Sequence, residues 1–224
     1  MSARDNILGR LRAASVGQSP LLPDVAGWFE RYTRREDSTQ RLTRLRSALE
    51  AVKTEVHDVT HADWTAVLLQ IAADKGLRHV LIGAATPHGE ALAHCAPDNL
   101  QIIRYDQPIE AWQDQLFDGV DASLTLARSA VAETGNLILW PTPAEPRLMS
   151  LVPSLHFVLL DADTVHADFY SAMTAEGWVQ GMPTNALLIC GPSKTADIQQ
   201  TLAYGAHGPR ELVVLLCYTA GGAA

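Results

Sequence analysis

Residues Thr60–Pro87 read THADWTAVLLQIAADKGLRHVLIGAATP. Trp64, Val67, Leu68, Ile71 and Ala72 recur at helical spacing and form the apolar stripe of a helix packed on one face. Thr60 and Asp63 stand ahead of it at capping-box spacing. Gly76 stands where a left-handed glycine ends a helix. His79–Gly83 (HVLIG) then reads as a short buried strand, and the small-residue loop Gly83-Ala84-Ala85 leads to another helix from about Pro87. Helix, glycine stop, apolar strand, tight loop and helix in succession predict a parallel sheet, because parallel neighbours need a crossover that a helix supplies.

The alternation extends in both directions. Toward the amino end, Leu42, Leu45, Leu49 and Val52 predict a helix over about 38–53. Ser2 and Asp5 open a short amphipathic helix over roughly 2–14, and Gly17–Pro23 has the composition of a linker. Toward the carboxyl end, Gln101–Tyr105, Val120–Leu126, Asn136–Leu139, Leu155–Leu160, Leu187–Cys190 and Leu212–Cys217 read as strands. Helices are predicted over Ile109–Leu116, the small-residue run Ala127–Ala132, Asp163–Ala175, and from Ser193 to about Ala203. The expected architecture is α/β: an open, mostly parallel sheet of about six to eight strands with helices on both faces, plus an N-terminal helical arm. The domain reading is an arm and linker over 1–23 and one α/β domain over 24–224.

Composition narrows the class. A hydrophobic fraction of 47% with 19% charged residues is that of a folded globular chain. Aliphatic runs such as Leu212–Cys217 are far shorter than the roughly 20 residues a membrane-spanning helix needs. The first residues are polar and charged, without the apolar segment of a secretion signal, so a cytoplasmic protein is expected. A net charge of −8 gives no general affinity for nucleic acid. The arginine-rich run Arg31–Arg46 is diluted by Glu36 and Asp37 and is read as a solvated helix face. The 3 cysteines, Cys95, Cys190 and Cys217, make neither a disulfide framework nor a C-x-x-C site, and cannot by themselves supply the four thiolates of an iron–sulfur cluster. No histidines share ligand spacing, so neither metal nor cofactor is expected.

Four segments carry candidate chemistry. In LLICGPSKT (Leu187–Thr195), an apolar strand runs into Gly191 and Pro192, and a helix is expected to open at Ser193. Ser193, Lys194 and Thr195 would then offer two hydroxyls, an ammonium and unpaired N–H groups to an anion. The plain alternative is that Ser193 is an ordinary helix cap. In Ala132-Glu133-Thr134-Gly135, the glycine permits a positive φ or close ligand approach, and Glu133 could serve as base or nucleophile or could be a solvated turn acid. In Gly205-Ala206-His207-Gly208-Pro209, His207 lies between small neighbours in a turn. Arg147, followed by Ser150 and His156, could clamp a carboxylate or form a surface ion pair.

Taken in order, AETG (132–135), RLMSLVPSLH (147–156), GPSKTADI (191–198) and GAHGP (205–209) resemble the LUD, or lactate-utilisation, domain family over nearly the whole chain. The opening ARDNILGRLRAA resembles the start of its C-type members. The resemblance implies a fold similar to the sugar-phosphate isomerase and CoA-transferase-like α/β fold. It also implies a part in oxidising L-lactate to pyruvate beside iron–sulfur partner proteins, as a subunit without its own cluster that binds a small organic anion or serves assembly. A different class remains open on the same fold: a stand-alone acyl or CoA transferase with Glu133 as nucleophile.

Overall fold

A computed structural model describes residues 2–14, 21–196, 202–205 and 207–219. The chain divides into two compact units, 1–33 and 34–224. The first holds α1 (Ala3–Ala13) and α2 (Val25–Tyr32). The capping box expected at Ser2 and Asp5 starts α1. Helix α2 is not among the expected helices; Asp24 caps it, and Trp28 meets Phe29 edge-on and lies tilted against Tyr32.

The second unit runs α3 (Ser38–Ala51), β1 (Glu55–Thr60), α4 (Trp64–Asp74), β2 (His79–Gly83), α5 (Pro87–Cys95), β3 (Gln101–Tyr105), α6 (Gln113–Asp118), β4 (Ala122–Leu126), β5 (Ser129–Val131), β6 (Asn136–Leu139), β7 (Leu155–Asp161), β8 (Val165–His166), α7 (Phe169–Ala175), β9 (Leu187–Ile189), β10 (Lys194–Ala196), β11 (Leu202–Tyr204) and β12 (Glu211–Tyr218). Six strands form one wholly parallel sheet in the order β1-β12-β7-β4-β2-β3. The decisive stretch folds as read. Gly76 has φ +66, and its N–H and that of Leu77 close the last turn of α4 on Ala73 and Ala72. Thr60 and Asp63 make half of their box: the Asp63 carboxylate accepts the Thr60 N–H at 2.6 Å.

Period-two alternation splits each central strand between two cores. Val213, Leu215 and Cys217 of β12 join Phe157, Val80 and Ile82 under α4 and α5, against Trp64, Leu68 and Leu92. Leu212, Val214 and Leu216 point the other way, with Val158 and Leu160, against Leu45 and Leu49 of α3 and Ala130 and Leu137 of a second sheet. Leu116 of α6 packs on that face with Leu81 and Met149.

The second sheet has the order β8-β5-β6-β9 and corrects two expectations. Ala127–Ala132 is not helical, because β5 pairs antiparallel with β6 and buries Ser129, Ala130 and Val131. Small side chains let this sheet sit close to the first, and that packing outweighs alanine's helix preference. The helix expected over Asp163–Ala175 starts only at Phe169, where Asp168 caps it, because β8 claims Val165 and His166. A third correction bears on function. In place of a helix from Ser193, β10 and β11 form an antiparallel pair, Lys194 opposite Tyr204. Residues 197–201 of that expected helix, part of the Gly17–Pro23 linker and the Gly221–Ala224 tail lie outside the described residues.

Among the described residues no helix is long and apolar enough to cross a membrane.

Candidate functional site

The predicted motifs meet at the amino edge of the parallel sheet. Cys190 follows β9, and its carbonyl accepts the Thr54 hydroxyl at 3.2 Å, just before β1. Ser193 N–H donates to Pro209 O at 2.8 Å, just before β12. The Ser193 carbonyl accepts Gly205 N–H at 2.9 Å, and its hydroxyl oxygen accepts the His207 N–H at 3.3 Å. Arg210 N–H reaches Ser154 O, next to the start of β7. The GPSK and GAHGP turns are thus one bonded unit. The AETG turn lies beside it by register, since Leu137 of β6 pairs with Ile189 of β9.

Two glycines explain why these turns have the sequences they do. Gly135 has φ +72, and a Cβ there would lie 3.0 Å from the Ala48 Cβ of α3. A Cβ on Gly191 would lie 2.8 Å from Val52, which ends the same helix. Both turns rest on the last turns of α3, and both require a residue without a side chain.

The candidate residues fare differently. Glu133 and Thr134 are exposed. The Thr134 hydroxyl accepts from Asn136 at 2.8 Å, while the Glu133 side chain has no hydrogen-bond partner among the described residues. Nothing there orients or desolvates a carboxylate nucleophile. Thr195 lies half-buried on β10, Lys194 and His207 are exposed, and Arg147 opens an exposed turn ahead of buried Met149 and Ser150. The helix N-terminus that was to hold an anion does not exist at Ser193, and the strand before it belongs to the second sheet. Gly191–Thr195 therefore lies at the amino edge, not at the carboxyl ends of parallel strands where open α/β sheets bind ligands.

The carboxyl edge holds residues the motif reading passed over. Between α3 and the ends of β1, β12 and β7 lies a cavity of about 400 Å³, lined by Arg41, Leu42, Arg46, Asp58, Val165 and Tyr218 among others. Thr39, Leu42, Thr43 and Arg46 face it because i+3 and i+4 positions share one side of a helix. Arg41 donates to Val165 O at 3.0 Å, Arg44 to Ala167 O at 2.9 Å, and Arg46 to Val56 O at 3.0 Å. Arg41, Arg44 and Arg46 are clamps fastening α3 to strand and loop carbonyls, whereas Arg31, Arg34 and Arg35 are exposed, as the solvated-face reading of the run expected. Arg46 also pairs with Asp58, and Asp58 bonds the Tyr218 hydroxyl; burial and that carboxylate hold the phenol above its ordinary range, so it stays protonated.

A second group lies over the ends of β2 and β4. His88 Nε2 and Glu145 Oε1 are 2.5 Å apart and mostly buried. The Ala144 carbonyl accepts the Ala84 N–H at 3.0 Å, beside Ala85 at φ +54. Gly83 allows this approach, because a Cβ there would meet Ala144 O at 2.7 Å. The sequence signal was the small-residue loop after HVLIG; its partner at Glu145 is distant in the chain.

His156 is fully buried on β7, with Nε2 2.8 Å from the Thr125 hydroxyl and Nδ1 without a hydrogen-bond partner among the described residues. Burial lowers its pKa to about 3, so the ring is neutral. Cys217 is buried and its thiol is pushed up to about 12, Cys190 is half-buried and Cys95 exposed.

Three comparisons place the chain among known proteins. The LUD domain profile matches residues 42–217. An uncharacterized protein of Neisseria meningitidis serogroup B is 43% identical over 221 residues, covering 96% of this chain and 93% of the relative. A protein named Lactate utilization protein C from an Exiguobacterium species is 25% identical over 225 residues, covering 83% of this chain and 96% of its own. The crystal structure of a DUF162 family protein from Deinococcus radiodurans superposes with a TM-score of 0.61 at 20% identity, over 82% of this chain and 99% of that one, a likeness of fold. A match across most of the α/β unit, joined to a relative aligned over nearly its full length, makes this chain a member of the LUD domain family.

Proposed function

We propose that the chain is a cytoplasmic component of an L-lactate utilisation system, a ligand-binding or assembly subunit that works beside iron–sulfur partner proteins. The observation that carries this reading is the near full-length alignment with a protein named Lactate utilization protein C. The chain's own cysteines support a division of labour: one is exposed, one half-buried and one buried. Redox chemistry in such a system therefore falls to a partner. The amino edge, where Gly135, Gly191, Ser193, Lys194 and His207 converge, is assigned the contact with a small organic anion, through the exposed Lys194 ammonium. Arg147 and Thr195 are assigned supporting places in it.

Deleting the gene in its native host tests the reading. Growth on L-lactate as sole carbon source should be lost or strongly slowed, growth on glucose should be unchanged, and the wild-type gene supplied in trans should restore it. Undiminished growth on L-lactate, with no other lactate-oxidising activity in the extract, refutes it.

A further inference from the structure

We propose that α1 docks on the α6 face of a second copy of the chain, so that two copies exchange their N-terminal arms in a symmetric dimer. The assignment holds whether or not the chain serves lactate oxidation.

The arm comes first. Helix α1 carries Ile7, Leu8 and Leu11 along one side, since positions three and four apart share a face. Ile7 and Leu11 are 59% and 66% exposed, and no residue of the helix is buried. A helix of 11 residues is marginal in water by itself and is held mainly by packing of its apolar side. The stripe therefore calls for a surface that covers it. Arg4, Arg10 and Arg12 border the stripe and form no ion pair among the described residues. The one acid of α1, Asp5, is spent on the capping box with Ser2. A surface that suits this helix is acidic with an apolar centre.

The second unit offers such a surface on α6. No lysine or arginine occurs between Arg104 and Arg128, whereas Asp106, Glu110, Asp114, Asp118 and Asp121 do. Asp114, Phe117 and Asp118 stand at i, i+3 and i+4 and share one side of α6, while Leu116 is buried. Phe117 is 55% exposed. Both aspartates are exposed, and neither carboxylate has a hydrogen-bond or ion-pair partner among the described residues. Like charges at i and i+4 repel, and a cation placed between them relieves this. An exposed phenylalanine between two carboxylates thus matches an apolar stripe bordered by guanidinium groups.

Charge also selects the occupant. The α1 helices of two copies laid together would set arginines against arginines. The α1 and α6 faces attract, and both are exposed in the single chain, so they are satisfied when two chains meet. Reciprocal exchange covers both faces on both copies and closes the assembly at two, as a two-fold interface does.

Sedimentation equilibrium of the full chain at concentrations up to about 100 μM tests the assignment. Wild type should dimerise, and the dimer should weaken at least threefold between about 0.05 M and about 0.5 M NaCl, because exposed charge pairs are screened. An arm variant, Arg10→Glu with Arg12→Glu, should weaken it at least tenfold, and so should a body variant, Asp114→Arg with Asp118→Arg. All four side chains are exposed, so the melting temperatures should hold. If the arm variant is destabilised, Leu11→Ser is judged by the same tenfold criterion. Mixing the arm and body variants pairs acidic arm with basic body and basic arm with acidic body, and should restore a mixed dimer. The proposal is overturned if wild type stays monomeric at about 100 μM, which would give the arm to a different protein. It is overturned if the body variant dimerises as well as wild type, which would turn the arms on each other. It is also overturned if the mixed variants stay apart, which would dock each arm within its own chain.

Discussion

The two edges of the parallel sheet differ in kind. The amino edge carries the recognisable motifs, yet its glycines are there because α3 presses against them: Gly135 on Ala48, Gly191 on Val52. Its polar side chains, Glu133, Lys194 and His207, are exposed. The carboxyl edge carries no motif, yet it holds the cavity and a tyrosine–aspartate–arginine cluster. Short glycine-rich signatures report backbone geometry first. Binding chemistry can lie at the opposite edge, assembled from residues that look ordinary in sequence. Helix α3 joins the two regions: its first turns line the cavity and its last turns support the motif turns.

The strongest way to break this comparison is through that helix. Leu49 is fully buried beside the AETG turn, and Leu49→Ala should cost about 2–5 kcal/mol in urea unfolding. An unfolding free energy within about 0.5 kcal/mol of wild type would show that α3 does not hold the two edges together.

Acid should be next in size, through His156, the second residue of β7, just beneath the amino edge. Its folded pKa is depressed to about 3, against about 6.5 in the unfolded chain. Between those values the unfolded chain binds the extra proton, so stability falls as the pH drops below about 6.5. The slope approaches 1.4 kcal/mol per pH unit, a loss of about 2 kcal/mol by pH 5. His156→Gln should flatten the change in urea midpoint between pH 7 and pH 5. An equally steep fall in the variant would assign the acid sensitivity to other groups.

Gly135→Ala should cost about 1–2 kcal/mol, because it forces a left-handed alanine against Ala48. A thermal melt checks this, and an unchanged melting temperature would remove the structural explanation for the AETG turn. The smallest stability effect belongs to Lys194→Ala, within about 0.5 kcal/mol, since the side chain is exposed. If that variant complements the deletion strain on L-lactate as well as wild type does, Lys194 has no part in function at the amino edge.

Several elements were legible without coordinates because their signals are local. The stripe Trp64, Leu68, Ile71, the stop at Gly76 and the apolar run His79–Gly83 each depend on residues within a few positions, and they fold as read. Where the structure departs from the local pattern, partners far along the chain decide. Ala127–Ala132 became a strand because Asn136–Leu139 and Val165–His166 pair with its core, and Ser193–Ala203 lost its expected helix to the pairing of Lys194–Ala196 with Leu202–Tyr204. Strand β1 went unread because an edge strand shows only a weak apolar pattern, with Val59 its one fully buried residue.

By itself the sequence determined the parallel α/β core, the family and the order of the motifs, since periodicity, stops and short signatures are written in neighbouring residues. Only the tertiary structure decided that the motifs gather at the amino edge, and that Arg41, Asp58 and Tyr218, up to 177 positions apart by their numbering, wall one cavity at the other. Strand order sets which loops share an edge, and strand order is fixed by long-range packing and pairing that no local pattern encodes.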